Sequence, residues 1–89
     1  MSRTMIAIVG PVPDLDRSAP VPLWIQLRDR LADDITASRL TGQIPSAAAL
    51  AAAYSVSKPT AEKALRALGE AGLTVGVPGK GTFVRRREE

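Results

Sequence analysis

Two helix-forming segments separated by only three residues set the strongest constraint on how this 89-residue chain folds. Ser46 opens the first, an Ala-rich stretch through Tyr54 whose inward face is Ala47, Leu50, Ala51 and Tyr54. Ala favours helix and lets a neighbouring helix come close. Ser55-Val56 then breaks the pattern, and Ser57 caps a further helix. Pro59 is tolerated in the first turn, where backbone N–H groups have no helical partner. Ala61, Ala64, Leu65 and Leu68 repeat at helical spacing, and Gly72 stops the helix. A helix–turn–helix of this kind lays its last helix across the one before, with the N-terminal side chains of that last helix projecting outward.

The flanking segments complete a small α+β pattern. Leu23, Trp24, Leu27, Leu31 and Ile35 mark an earlier amphipathic helix that starts at Pro22 and fades near Ser38–Arg39, before Thr41-Gly42. Trp24 reads as its core anchor. Gly42 to Pro45 is an extended connector. After Gly72 the period changes: Leu73, Val75 and Val77 alternate, Gly79-Lys80-Gly81 makes a turn, and Thr82-Phe83-Val84 forms a second strand. The fold class is therefore mainly α, three helices plus a two-stranded β-hairpin. Residues 1–21 hold Pro11, Pro13 and Pro20 and read as an arm or linker, with Met5–Val9 either a short strand or part of an unstructured leader. Residues 22–84 make the domain, and 85–89 a charged tail.

Composition narrows the chemistry. There is no Cys and no His, which removes disulfides, cysteine zinc sites, the usual nitrogen metal ligand and the commonest general base. One small core leaves no room for a buried substrate cavity as well. No enzyme, catalytic residue, metal or cofactor is expected. Gly79-Lys80-Gly81-Thr82 is not a phosphate-binding P-loop, because Thr74 stands where the leading Gly belongs and Gly81 where Ser or Thr belongs. Met5–Val9 is too short for a secretory or membrane-spanning segment, so a cytoplasmic location and no membrane partner are expected.

Charge is unevenly placed. Residues 1–55 balance five Arg against five Asp, so the whole net charge of +3 falls in residues 56–89. A one-sided basic region points to a polyanion. The last helix opens with Ser57, Lys58, Pro59, Thr60, Glu62 and Lys63, and the hairpin tip carries Gly79, Lys80, Gly81 and Thr82. A helix fits the major groove of B-form DNA, where first-turn side chains reach base edges and phosphates. Ser46, capping the preceding helix, joins this candidate set. RNA is disfavoured, since Trp24, Tyr54 and Phe83 are the only aromatic residues and all read as buried.

The segments PLWIQLRDRLADDI, SRLTGQIPS, LAAAYSVSKPTAEKALRALGEAGL and PGKGTFV, from Pro22 to Val84, together resemble the DNA-binding domain of the GntR family of bacterial transcription regulators. The resemblance implies a winged helix-turn-helix, with 57–71 the recognition helix and 73–84 the wing. It implies an operator-binding transcriptional regulator of double-stranded DNA. It also implies that Ser57, Lys58 and Thr60 contact DNA from the recognition helix, and Gly79 and Lys80 from the wing. Leu27, Leu31, Leu50, Val56, Leu65, Leu68 and Phe83 match core positions. Ala47 and Ala48 replace a frequent Glu-Arg pair, Lys58 replaces a frequent Arg, Glu62 stands where many members have Arg, and Ser55 where the turn usually has Gly. At Glu62 two readings stay open: acceptance from a cytosine amino group, or repulsion of phosphate.

Family members carry a second, effector-binding domain, whereas five residues follow Val84 here, so no small-molecule effector site is expected. The chain is either a minimal regulator or a DNA-binding fragment. One copy touches few phosphates, which suggests a homodimer or a partner protein, with Met5–Val9 as a contact. The competing reading is a protein–protein interaction module on the same scaffold, separable from DNA binding by its weaker salt dependence.

Overall fold

The computed structural model describes residues 15–85. Three helices, α1 (Leu23–Thr36), α2 (Ala47–Tyr54) and α3 (Lys58–Glu70), precede two strands, β1 (Thr74–Val77) and β2 (Gly81–Val84). Met5–Val9, read from the sequence as either a short strand or part of an unstructured leader, and the tail beyond Arg85 lie outside the described residues.

The core forms where α3 packs against both α1 and α2. Leu27 and Leu31 from α1, Leu50 from α2, and Ala61, Ala64 and Leu68 from α3 make the buried cluster. Alanines on the inner face of α3 let leucines of its neighbours fill the space between the axes. Val56, Leu65, Tyr54 and Leu73 lie half-buried against it.

β1 and β2 pair antiparallel, with Thr74 opposite Val84 and Val77 opposite Gly81. The connector before α2 does more than the sequence suggested. Ile44 is buried, its amide donates to the Thr82 carbonyl (2.7 Å), and the Val84 amide donates to the Gly42 carbonyl (2.7 Å). Gln43 and Phe83 thus form an antiparallel bridge, and residues 42–44 tie the hairpin to the helices. The alternation of Leu73, Val75 and Val77 marks a strand of the hairpin, as expected, but does not by itself mark the strand's inward face. Thr74 is the buried residue of β1, facing Gly69 on α3, and Val75 is 37% exposed. A narrow hairpin can turn only one face to the helices, and pairing selects the face carrying Thr74.

All three helices end on a residue with positive φ. In α1 this is Ser38 (φ 63), in α2 Ser55 (φ 56), and after α3 Gly72 (φ 82). Each is followed by an amide that reaches back five residues: Arg39 to Asp34 O, Val56 to Ala51 O and Leu73 to Leu68 O. These are Schellman-type stops, which satisfy carbonyls that have no helical partner. α1 therefore ends at Thr36 rather than near Arg39. Arg39 fastens that stop with its side chain, whose Nε is 2.9 Å from Asp34 Oδ1.

Ser55 allows a direct test. An L-residue in the left-handed region is strained by roughly 1–2 kcal/mol relative to Gly, partly offset by the greater freedom of Gly in the unfolded chain. Ser55→Gly is expected to stabilise the fold by about 0.5 kcal/mol and raise Tm by about 3 °C in a thermal melt followed by circular dichroism. A lowered Tm would show that the Ser55 side chain contributes a contact worth more than the strain.

Residues 15–21, read as arm from the sequence, lie against the helices. Leu15 packs on the core cluster. Gln26 on α1 accepts from the Asp16 amide (2.6 Å) and donates to the carbonyls of Asp16 (2.9 Å) and Val21 (2.8 Å). Arg17 Nη2 donates to the carbonyls of Tyr54 and Ser55, both at 2.8 Å. A guanidinium there satisfies carbonyls at the C-terminal end of α2, where the helix dipole favours a cation. The Ser18 hydroxyl and amide, both donating to Asp16, hold that carboxyl below its ordinary range and fix the turn.

Candidate nucleic-acid interface

The opening turn of α3 is built around a cap. Ser57 Oγ accepts from the Thr60 amide (3.2 Å), and the Ser57 hydroxyl donates to Thr60 Oγ1 (2.9 Å). The Ala61 amide takes the Ser57 carbonyl, and Pro59 has no N–H to offer. Of the amides of Lys58, Thr60 and Ala61, that of Lys58 is thus the one without a hydrogen-bond partner among the described residues. The Thr60 hydroxyl accepts from Ser57 and keeps its own proton free to donate. No acidic residue stands in the first turn of α3, so its positive dipole end is not neutralised there. Ser46 plays the matching part for α2, its Oγ accepting from the Ala49 amide (3.1 Å).

Glu62, Lys63 and Arg66 are exposed on the face of α3 turned away from the buried Ala61, Ala64 and Leu68. Lys63 is held from the side, with Nζ 4.9 Å from the centre of the Trp24 ring and Arg28 Cζ 5.7 Å from the same ring. Trp24 is therefore not the core anchor that the sequence suggested. It is half-buried at the start of α1 and offers its π face to two cations, an arrangement favoured electrostatically. Tyr54 and Phe83 are likewise half-buried rather than buried, because the small core is filled by leucines and alanines.

The hairpin tip is a Val77-Pro78-Gly79-Lys80 turn closed by the Lys80 amide on the Val77 carbonyl (2.9 Å). Pro followed by Gly with φ 79 is the pattern of a type II turn. Gln43 Nε2 donates to the Lys80 carbonyl (3.0 Å), bracing the tip from the 42–44 segment. Gly81 (φ 121) holds a backbone conformation that strains an L side chain, and a Cβ there would also displace the bracing Gln43 amide, 2.7 Å away. Lys80 is thus presented on a fixed turn with its side chain in solvent. Thr82 lies lower, half-buried in β2 opposite Gly76.

Charge pairing divides the molecule. Among the described residues, every ion pair lies in 28–39: Arg28 with Asp29, Arg30 with Asp34, and Arg39 with Asp33 and Asp34. Such exposed pairs add little stability. Their effect is to neutralise α1 and leave Lys58, Arg66, Lys80 and Arg85 without a carboxylate within 4.0 Å among the described residues.

Gln43, Arg17 and Gln26 were not singled out from the sequence. Each acts through backbone groups outside its own element, 37 residues away for Gln43 and for Arg17, and nothing in local composition marks such a contact.

Three helices with a two-stranded hairpin behind the third, braced by an extended segment before the second, define a winged helix-turn-helix domain. The sequence profile described as "Bacterial regulatory proteins, gntR family" matches residues 25–84. The chain belongs to this family. It is 38% identical over 76 residues to an HTH-type transcriptional regulator of Rhizobium meliloti, covering 83% of this chain and 31% of that protein. It is 39% identical over 70 residues to the histidine utilization repressor of Klebsiella aerogenes, covering 76% of this chain and 29% of that one. The AraR DNA-binding domain in complex with operator ORE1 superposes with a TM-score of 0.69 at 30% identity, covering 80% of this chain and 89% of that one. The chain thus spans about a third of the length of these curated relatives. Among the described residues, no helix is long and apolar enough to cross a membrane.

Proposed function

We propose that this domain is a sequence-specific reader of double-stranded DNA in a transcriptional regulator, with α3 in the major groove and the wing on the adjacent backbone or minor groove. The observation that carries this reading is the division of charge: acids of α1 are paired off, while Lys58 and Lys80, on the two projecting features of the fold, have no carboxylate partner among the described residues. Family membership and the operator complex of AraR support it.

The roles follow from the local chemistry. Lys58, through its amide and ammonium, and Thr60, through its free hydroxyl proton, meet phosphate or base edges at the start of α3. Ser57 and Ser46 act chiefly as caps that fix where those donors point. Lys80 and the backbone of Gly79 and Gly81 meet the sugar–phosphate edge. Lys63 reaches the backbone from its seat on Trp24. The globular unit in this reading includes Leu15 and Arg17, which are part of its packing. Two copies on a palindromic site supply the phosphate contacts that a single domain lacks.

Selection of bound duplexes from a random DNA pool tests this. An enriched, salt-sensitive site is expected, with log affinity falling against log salt by about 0.9 per phosphate contacted. A pool without enrichment, bound with little salt dependence, would overturn the reading and favour a protein-interaction module.

A further inference from the structure

We propose that Glu62 is a specificity residue that selects cytosine, by accepting a hydrogen bond from the cytosine 4-amino group in the major groove. The inference rests on the DNA-reading assignment for α3. Glu62 is exposed on the outward face of α3, and among the described residues no cation lies within 4.0 Å of its carboxylate. Lys58 and Arg66 stand one helical turn before and after it on the same face, about 6 Å away along the axis. They offset the repulsion between a carboxylate and the phosphates of both strands without occupying its lone pairs.

An ionised carboxylate only accepts hydrogen bonds. Guanine offers it two acceptors, and thymine an acceptor beside a methyl group. Adenine offers a donor, but with the N7 acceptor at its side. Cytosine alone presents an amino donor with no neighbouring acceptor on its major-groove edge. The guanine of the same base pair offers N7 and O6 to a cation, and Lys58 and Arg66 flank Glu62 to supply one. An acid in the middle of a basic face is thus matched to a C·G pair.

The experiment compares the wild type with Glu62→Ala and Glu62→Gln in selections from random duplex DNA. The wild-type pool is expected to hold one position fixed as cytosine. In the Glu62→Ala pool that position loses its preference while the rest of the site persists. In the Glu62→Gln pool the preference moves toward adenine, whose N6 and N7 suit a side-chain amide. In the selected duplex, replacing that cytosine by 2-pyrimidinone, which lacks the 4-amino group, should lower wild-type affinity roughly tenfold to a hundredfold. The same change should alter Glu62→Ala binding by less than about twofold more than the effect on an unrelated cytosine of the site. If Glu62→Ala keeps the same site and only binds every duplex more tightly, the carboxylate repels phosphate and the proposal is wrong. If the wild type selects no site at all, the DNA reading itself fails, an outcome distinct from the persistence of an unchanged site.

Discussion

Leu68→Ala is expected to leave much of the protein unfolded at 37 °C, with loss of the helical circular dichroism signal and a collapse of the urea midpoint. Leu68 is fully buried on α3, and with Leu27 it is one of the two largest side chains wholly removed from solvent. Truncating such a leucine destabilises by about 2–5 kcal/mol, through lost transfer energy and the cavity left behind. A domain of this length is stable by only about 4–10 kcal/mol in total. The cluster around Leu68 is filled out by Ala61 and Ala64, whose side chains cannot swing in to close a gap. The cost should therefore fall in the upper part of the range. Leu68→Met keeps the volume and should cost less than about 1.5 kcal/mol. If Leu68→Ala melts within a few degrees of the wild type, the core is not where the buried leucines place it.

Leu68 was legible in the sequence because it sits on an apolar stripe of helical period, as were Leu27, Leu31 and Leu50. The caps at Ser46 and Ser57 were legible for a similar reason, since each is a hydroxyl residue directly before a helical run. Trp24 was misread because its size and apolar neighbours suggest a core position. Burial there was decided by the six side chains of the buried cluster, which already fill the space between the helices. Ile44 was missed for the opposite reason. It stands alone in an extended connector with no periodicity around it, and only its pairing with β2 draws it inward.

The candidate interface was legible as residue types but not as a division of labour. Sequence placed Ser57, Lys58 and Thr60 together. It did not show that the Ser57 hydroxyl is engaged at both its donor and its acceptor side, leaving Thr60 as the hydroxyl with a proton to give. The wing tip was visible as glycines around a lysine, yet the part that fixes it is Gln43, from the other side of two helices in the chain. The charge asymmetry was visible as a count. Its physical form, acids of α1 held by their own arginines, needed the fold to bring Arg39 back onto Asp33 and Asp34.

The double substitution Lys58→Ala with Lys80→Ala is expected to weaken binding to the selected duplex by about a hundredfold at low salt, each lysine contributing a charge-assisted contact of roughly 1.5 kcal/mol. The slope of log affinity against log salt should become shallower by about 0.9 for each of the two lysines that meets a phosphate. The single substitutions separate the two elements. Lys80→Ala should weaken binding about equally across sequences, since a wing-tip lysine meets the backbone. Lys58→Ala, at the start of α3, should weaken binding and also alter base preference. Arg39→Ala is the control, because it removes one positive charge from the protein at a place where that charge is already paired with Asp33 and Asp34. If Arg39→Ala changes the slope as much as Lys80→Ala does, binding responds to net charge and the two projecting lysines are not the contacts. If the double variant keeps both affinity and slope, α3 and the wing do not face the DNA, and another surface of the domain must.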